Sequence, residues 1–179
     1  QRQMCIRDRS RENQVRRFFA RHVSKFDYLR VKLIRFMERV ALFPGSFDPF
    51  TLGHQAIVEQ GLRIFDRIVV GVGANSEKHG LLTVENRERL IGDIYRGNPC
   101  VETVSYGGLT GDYCRQRGIR FILRGMRNTV DYEYERGMML INQRLYPEIT
   151  TVLLFTPPEY VAISSSMIRE LGSYGNEPI

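Results

Sequence analysis

From residue 39 onward the chain alternates five times between a short apolar run and a longer segment of helical period, and this alternation limits the fold more than any other feature. The apolar runs are RVALFP (39–44), RIVVGVG (67–73), CVETVSY (100–106), IRFILRG (119–125) and ITTVLLFTP (149–157). Between and after them stand LGHQAIVEQGLRIF (52–65), TVENRERLIGDIYRG (83–97), GLTGDYCRQRG (108–118), DYEYERGMMLINQRLYP (131–147) and SSSMIRELGSYG (164–175). Thr83 is placed to cap the second helix, Gly118 to close the third, and Pro147 to stop the fourth. Strands this uniformly apolar are expected to be buried on both faces of a parallel sheet. The pattern predicts an α/β, doubly wound, Rossmann-like fold with a five-stranded parallel sheet flanked by helices. Such sheets bind ligands beyond the carboxyl ends of their strands, so functional residues are expected just after the apolar runs.

Charge divides the chain into two parts. Residues 1–36 hold 11 Lys/Arg and 3 Asp/Glu, whereas the remainder holds 15 basic and 17 acidic residues. The net +6 therefore belongs to the N-terminal segment, and the body lacks the basic footprint of a duplex-DNA binder. Within that segment Val15, Phe18, Phe19, Val23, Phe26, Leu29, Leu33 and Phe36 recur at helical steps between basic residues, a basic amphipathic pattern. It has the form of a membrane-surface or transit-like helix. The favoured expectation is an extension, non-native or poorly ordered, over residues 1–36, with Met37 as the natural start and 37–179 as the functional domain. Cys5, Cys100 and Cys114 show no CxxC spacing and read as reduced cytosolic thiols.

The stretch ALFPGSFDPFTLGH (41–54) leaves the first strand through a proline-rich turn. It presents Ser46, then Gly53 and His54 at the mouth of a helix. A helix N-terminus offers free N–H groups and the positive dipole end, which suits phosphate, and Gly53 lets a ligand approach the backbone. After the fourth strand, Arg124 and Arg127 flank Gly125 and Met126, and Asp131, Glu133 and Glu135 follow. Arginine is the side chain for bidentate phosphate recognition. Ser164, Ser165 and Ser166 open the last helix; one is expected as its cap, and three hydroxyls with free N–H groups also form a phosphate cradle. Lys78 follows the second strand. There is no Walker A pattern, GVGANS lacks the third glycine of a dinucleotide fingerprint, and no nucleophile pair or metal-ligand cluster stands out. The set fits a site that binds a polyphosphate and transfers a group from it by positioning and electrostatics.

FPGSFDPFTLGH, RGMRNTVDYEYE and ISSSMIRE, in this order and spacing, closely resemble bacterial phosphopantetheine adenylyltransferase, a family of the nucleotidyltransferase superfamily marked by a (H/T)xGH motif. The resemblance runs from about Met37 to Gly172. It implies reversible transfer of AMP from ATP to 4′-phosphopantetheine with Mg²⁺, giving dephospho-coenzyme A and pyrophosphate, the penultimate step of coenzyme A synthesis. By the same resemblance Thr51 to His54 form the TxGH motif, and His54 stabilises the transition state at the α-phosphate. Ser46 contacts both substrates, with Phe47 beside the ATP. Lys78 and Arg124 hold the phosphopantetheine side, and Thr110 contacts that substrate. Gly125, Met126 and Arg127 line the ATP site, and Glu135 contacts the nucleotide. Tyr160, Val161, Ala162, Ile163, Ser164, Ser165 and Ser166 form the second ATP loop. The resemblance also implies a homo-oligomer, a hexamer; a cytoplasmic location with no nucleic-acid or membrane partner is expected. The family has no counterpart to the first 36 residues, and the chain stops short of the family's usual final segment.

Three alternatives compete with this expectation. A nicotinamide mononucleotide adenylyltransferase shares the G-x-F-D-P turn and the serine-rich helix, but usually has His where this chain has Thr51. A nucleotide-binding module without turnover is argued against by the presence of both His54 and Arg127. A nucleic-acid or membrane-surface binder would act through residues 15–36.

Overall fold

The computed structural model describes residues 38–74 and 80–173. The amphipathic pattern at 15–36 and Lys78 lie outside the described residues. Five strands alternate with five α-helices: β1 (Val40–Gly45), α1 (Leu52–Gly61), β2 (Arg67–Ala74), α2 (Val84–Ile94), β3 (Val101–Gly107), α3 (Thr110–Arg117), β4 (Phe121–Met126), α4 (Thr129–Leu145), β5 (Thr150–Phe155) and α5 (Ser165–Ser173). A 3₁₀ turn, Pro158–Tyr160, precedes α5. All strand pairs are parallel, in the order β3-β2-β1-β4-β5. The doubly wound expectation holds.

Chain reversal occurs between β1 and β4. The first three strands wind outward in one direction and the last two in the other, so the crevice between the carboxyl ends of β1 and β4 is the topological switch point. The ladder itself shows the opening. β1 pairs with β2 through six residue positions, from Val40↔Arg67 to Gly45↔Val72, but with β4 only at Ala41↔Phe121 and Leu42↔Ile122. Beyond that point the Arg124 guanidinium donates to the Pro44 carbonyl, supplying a partner where the β1–β4 ladder has ended.

The continuous apolar runs resolve into two faces. Ala41, Phe43, Ile68, Val70, Val72 and Leu123 point to one side and pack with Ile57 of α1 and Ile91 of α2. Leu42, Val69 and Ile122 point to the other, against Cys114 of α3 and Tyr146 after α4. This is the two-residue period of a strand, with both faces covered. Each fully buried Leu, Ile or Val contributes about 1.5–3 kcal/mol, which makes the central strands the rigid platform of the molecule.

Burial on both faces does not extend to the edges. β3 and β5 are largely half-buried, and the Phe155 side chain at the end of β5 is 73% exposed. Sheet order accounts for this, since each edge strand has a neighbour on one side only. The cap assignments hold: Thr83 accepts from the Asn86 amide at 3.3 Å, and Gly118 ends α3 at φ 66°. α4 begins at Thr129, earlier than the pattern predicts, because the Asn128 side chain caps it by accepting from the Asp131 amide. Among the described residues no helix is long and apolar enough to cross a membrane.

Candidate active site

The turn after β1 brings Ser46, Phe47 and His54 together. Thr51 is the N-cap of α1: its hydroxyl accepts from the His54 amide at 3.4 Å, while the Thr51 amide donates to His54 Nδ1 at 3.0 Å. This is a capping box with histidine in the place usually taken by Glu or Gln. The box gives the threonine and histidine of the TLGH stretch a reason for their spacing. It also decides which ring nitrogen is free, because an Nδ1 that accepts leaves the proton of a neutral imidazole on Nε2. The ring is wedged between aromatic neighbours. Phe47 meets it edge-on at 5.1 Å between centroids and 87°, and Phe50 lies 5.4 Å away. Burial, and then the charges of Arg127 and Arg124, depress the His54 pKa to about 4. In the free protein His54 is therefore a neutral donor at physiological pH.

β4 delivers the two arginines. Arg124 is locked into a bidentate pair with Glu135, through Nε at 2.7 Å and through Nη2. Glu135 is the one buried residue of α4. Arg127 pairs with Asp131 through Nε at 2.9 Å and Nη2 at 3.1 Å, and its amide donates to the same carboxylate at 2.9 Å. Burial works to raise the Asp131 pKa, but the hydrogen bonds from Arg127 outweigh it and the net shift is downward.

Each of the three serines has an internal partner. The Ser164 hydroxyl accepts from the Met167 amide at 3.1 Å and caps α5. Ser165 donates to the Pro49 carbonyl at 2.8 Å, and Ser166 accepts from Arg169 at 3.1 Å. Arg169 also donates to the Asp48 carbonyl. α5 is thereby fastened to the turn that carries Ser46.

Two cavities meet at the switch point. The first, about 280 Å³, is lined by Ser46, Phe47, Gly53, His54, Gly125, Arg127, Asp131, Glu135 and residues 163–166. The second, about 660 Å³, is lined by Thr110, whose hydroxyl bonds Tyr106 at 2.9 Å, and by Met138, Ile141 and Leu145 of α4. Pro44, Gly45, Ser46, Arg124 and Glu135 belong to both walls. Most residues expected from the sequence thus converge on one crevice. Met126 does not line either cavity: it is buried in β4, where its carbonyl accepts from the Thr156 amide at 2.9 Å. Tyr160, Val161 and Ala162 also stand outside both linings, although the Tyr160 carbonyl lies 3.7 Å from where a Cβ on Gly53 would sit.

Sequence reasoning missed the supporting polar residues. Asp48 and Arg87 are buried at 5% and 8% exposure. An aspartate in a turn and an arginine in a helix both pass for surface residues in a sequence. The pairing of each arginine with its carboxylate was also missed, although the four-residue step from Arg127 to Asp131 at a helix start was a usable signal.

The Cytidylyltransferase-like family matches residues 42–171 of the chain. A phosphopantetheine adenylyltransferase from Bacteroides thetaiotaomicron is 43% identical over 139 residues, covering 78% of this chain and 91% of the relative. One from Leuconostoc citreum is 46% identical over 136 residues, covering 76% and 85%. Among solved structures, a bifunctional NMN adenylyltransferase/ADP ribose pyrophosphatase from Francisella tularensis superposes with a TM-score of 0.62 at 14% identity. The match covers 79% of this chain and 44% of that longer one, a likeness of fold. With identity of this order across nearly the whole length of its relatives, the chain belongs to the phosphopantetheine adenylyltransferase family of cytidylyltransferase-like proteins.

Proposed function

We infer that the smaller cavity takes the triphosphate end of ATP and the larger one takes 4′-phosphopantetheine. The chain is a nucleotidyltransferase that moves an adenylyl group between them, the step that yields dephospho-coenzyme A in coenzyme A synthesis. A phosphate oxygen of the acceptor attacks the α-phosphorus, the bond to the β-phosphate bridging oxygen breaks, and pyrophosphate leaves. The observation that carries this reading is the shared wall: Ser46 and Arg124 face both cavities, so two phosphates drawn there meet. No general base is required, because the attacking oxygen is already anionic. The work is to hold two anions in line and to meet the developing charge. The α1 N-terminus and Arg127 serve the nucleotide, Arg124 serves the acceptor, and His54 Nε2–H is the donor for an oxygen of the α-phosphate. The apolar α4 residues of the larger cavity suit a long uncharged arm.

Mg²⁺ belongs to this reading as a partner of the nucleotide. Asp131 and Glu135 are the carboxylates lining the first cavity, and arginines engage both. Among the described residues no cluster of three or more His, Cys, Asp or Glu could hold a metal. The donor set fits an ion held chiefly by substrate phosphates. Bound there, it neutralises phosphate charge.

The test is pyrophosphate release by the purified chain with ATP, Mg²⁺ and either 4′-phosphopantetheine or nicotinamide mononucleotide. Turnover with the first supports the reading. Turnover with the second alone overturns it.

Gly53 offers an independent check. A Cβ there would meet protein atoms no closer than 3.5 Å, an ordinary contact. The protein alone therefore tolerates alanine, and the demand for glycine comes from the ligand. Gly53→Ala should be as stable as the parent, or up to ~1 kcal/mol more stable. ATP binding should weaken by roughly tenfold or more, as overpacking costs. Calorimetry and thermal melts read the two effects separately, and loss of stability with intact binding would refute the explanation.

The reading includes a cytoplasmic homo-oligomer, a hexamer by family, with no nucleic-acid or membrane role. For assembly, α4 leaves Val130 and Leu140, which line neither cavity, more than half exposed. Apolar surface of this kind is what a partner covers. Light scattering should give a mass several times 20.8 kDa, and a monomer would reject the assembly.

A further inference from the structure

The turn that carries Ser46 is held in a shape its residues do not favour. Phe47 has φ 46°, in the left-handed region that a bulky non-glycine residue rarely enters. Such a conformation persists where its surroundings over-determine it, and these outliers cluster at active sites. Here the residues on either side of Phe47 are tied to the start of α2 and the short segment leading into it. On one side, Arg87 donates from Nη1 to the Ser46 carbonyl at 2.7 Å. Its Nε donates to the Leu82 carbonyl at 3.0 Å and, at 3.4 Å, to that of Thr83. On the other side, the Asp48 carboxylate accepts from the amides of Leu81 and Leu82 at 2.8 and 2.9 Å. Gly80 lets the segment come this close, since a Cβ there would stand 2.7 Å from Asp48 Oδ2.

Arg87 is 8% exposed and lines neither cavity. Its hydrogen bonds all go to main-chain carbonyls, a use of the guanidinium fork that fixes backbone and recognises no ligand. What it fixes is adjacent to the chemistry. Ser46 lines both cavities, and the Phe47 ring stands edge-on to His54. We propose that Arg87 is a positioning residue for the transfer step: through the Ser46 carbonyl it sets the Ser46 hydroxyl, and through the Phe47 ring it sets the His54 imidazole. The proposal rests on the functional reading above. Its distinguishing consequence is kinetic, because a misplacement of about 1 Å can cost 10²-fold in rate without removing any ligand contact.

The test uses Arg87→Lys and Arg87→Met. Lysine keeps a charge but replaces the rigid fork, whose Nε and Nη1 reach Leu82 and Ser46 from separate atoms, with a single nitrogen on a flexible stem. In Arg87→Lys, kcat should fall by roughly one to two powers of ten, with the calorimetric Kd for ATP within about threefold of the parent. Histidine nitrogen NMR provides a readout independent of turnover. His54 should give the spectrum of a fixed Nε2–H tautomer in the parent and move toward an averaged, unconstrained imidazole in Arg87→Lys. A folded Arg87→Lys with parental kcat and an unchanged His54 spectrum overturns the proposal, as does a deficit confined to ATP affinity. Failure of both variants to fold also overturns it, since the residue is then structural. If the parent shows no turnover with phosphopantetheine, the functional reading fails, and the His54 spectrum alone decides the role of Arg87.

Discussion

His54→Ala should lower kcat by ~10²–10³ and leave ATP affinity nearly unchanged, the mark of a donor aimed at the transition state. The structure supplies the reason. The Thr51 amide occupies Nδ1, so the ring proton resides on Nε2, and a pKa near 4 keeps the imidazole neutral. A neutral donor held by a cap and three phenylalanines needs no reorganisation when charge shifts onto the α-phosphate. On the proposed reading, ground-state attraction for the triphosphate comes chiefly from the helix N-terminus and the arginines, which the variant keeps. Two measurements check the account. Saturating kinetics beside calorimetry separate kcat from affinity, and a loss confined to affinity would make His54 a phosphate anchor only. An NMR titration of the free chain should find His54 unprotonated down to about pH 5. The same shift sets a sign for stability. An unfolded histidine takes its proton near 6.5, while the folded one resists until about 4. The contribution is therefore complete above pH 6.5 and is lost as pH falls from there through 4. His54→Ala should show less acid destabilisation than the parent across that window.

The sequence made the elements legible because their periods are local. β1 and β2 are bare apolar runs whose neighbours could only be covering helices, and the residues after them had to face the crevice. Strand order is not local. Nothing in the run FILRGM says that β4 lies beside β1, yet that adjacency turns Arg124 toward Pro44 and makes a switch point of the gap. His54 and Arg127 could be picked out as candidates because anion-binding chemistry favours their types near strand exits. The residues that hold them were hidden for the converse reason. Asp48 and Arg87 are charged, so composition assigns them to the surface, and only folding shows each buried against amides or carbonyls. The protonation state of His54 was equally out of reach, since it depends on burial and on two arginines some seventy positions away. Edge exposure was missed because a run such as ITTVLLF reads the same at the centre of a sheet as at its rim.

Arg124→Ala should be the most destabilising single change among the site's charged residues. Its partner Glu135 has a side chain only 9% exposed, and Arg124 itself is 26% exposed. Removing the guanidinium leaves a carboxylate buried without its cation, which typically costs about 3–5 kcal/mol. It also removes the donor to the Pro44 carbonyl at the point where β1 and β4 part. The neighbouring pair provides the contrast. Arg127 and Asp131 are 34% and 22% exposed and sit four residues apart at a helix start, so Arg127→Ala should cost under about 1 kcal/mol. Urea unfolding of the two variants under one condition decides whether burial sets the difference. Adding Glu135→Gln to Arg124→Ala should restore much of the lost stability, because an amide tolerates burial where an unpaired carboxylate does not. It should not restore function. A charge-assisted hydrogen bond to phosphate is worth about 1.5–3 kcal/mol, so the KM for phosphopantetheine should stay roughly 10- to 100-fold high in the double variant. Recovery of stability without recovery of KM separates the two tasks of Arg124: neutralising Glu135 inside the fold, and offering the same guanidinium to the acceptor at the wall between the cavities. If both recover together, Arg124 serves the fold alone, and the acceptor phosphate is held elsewhere.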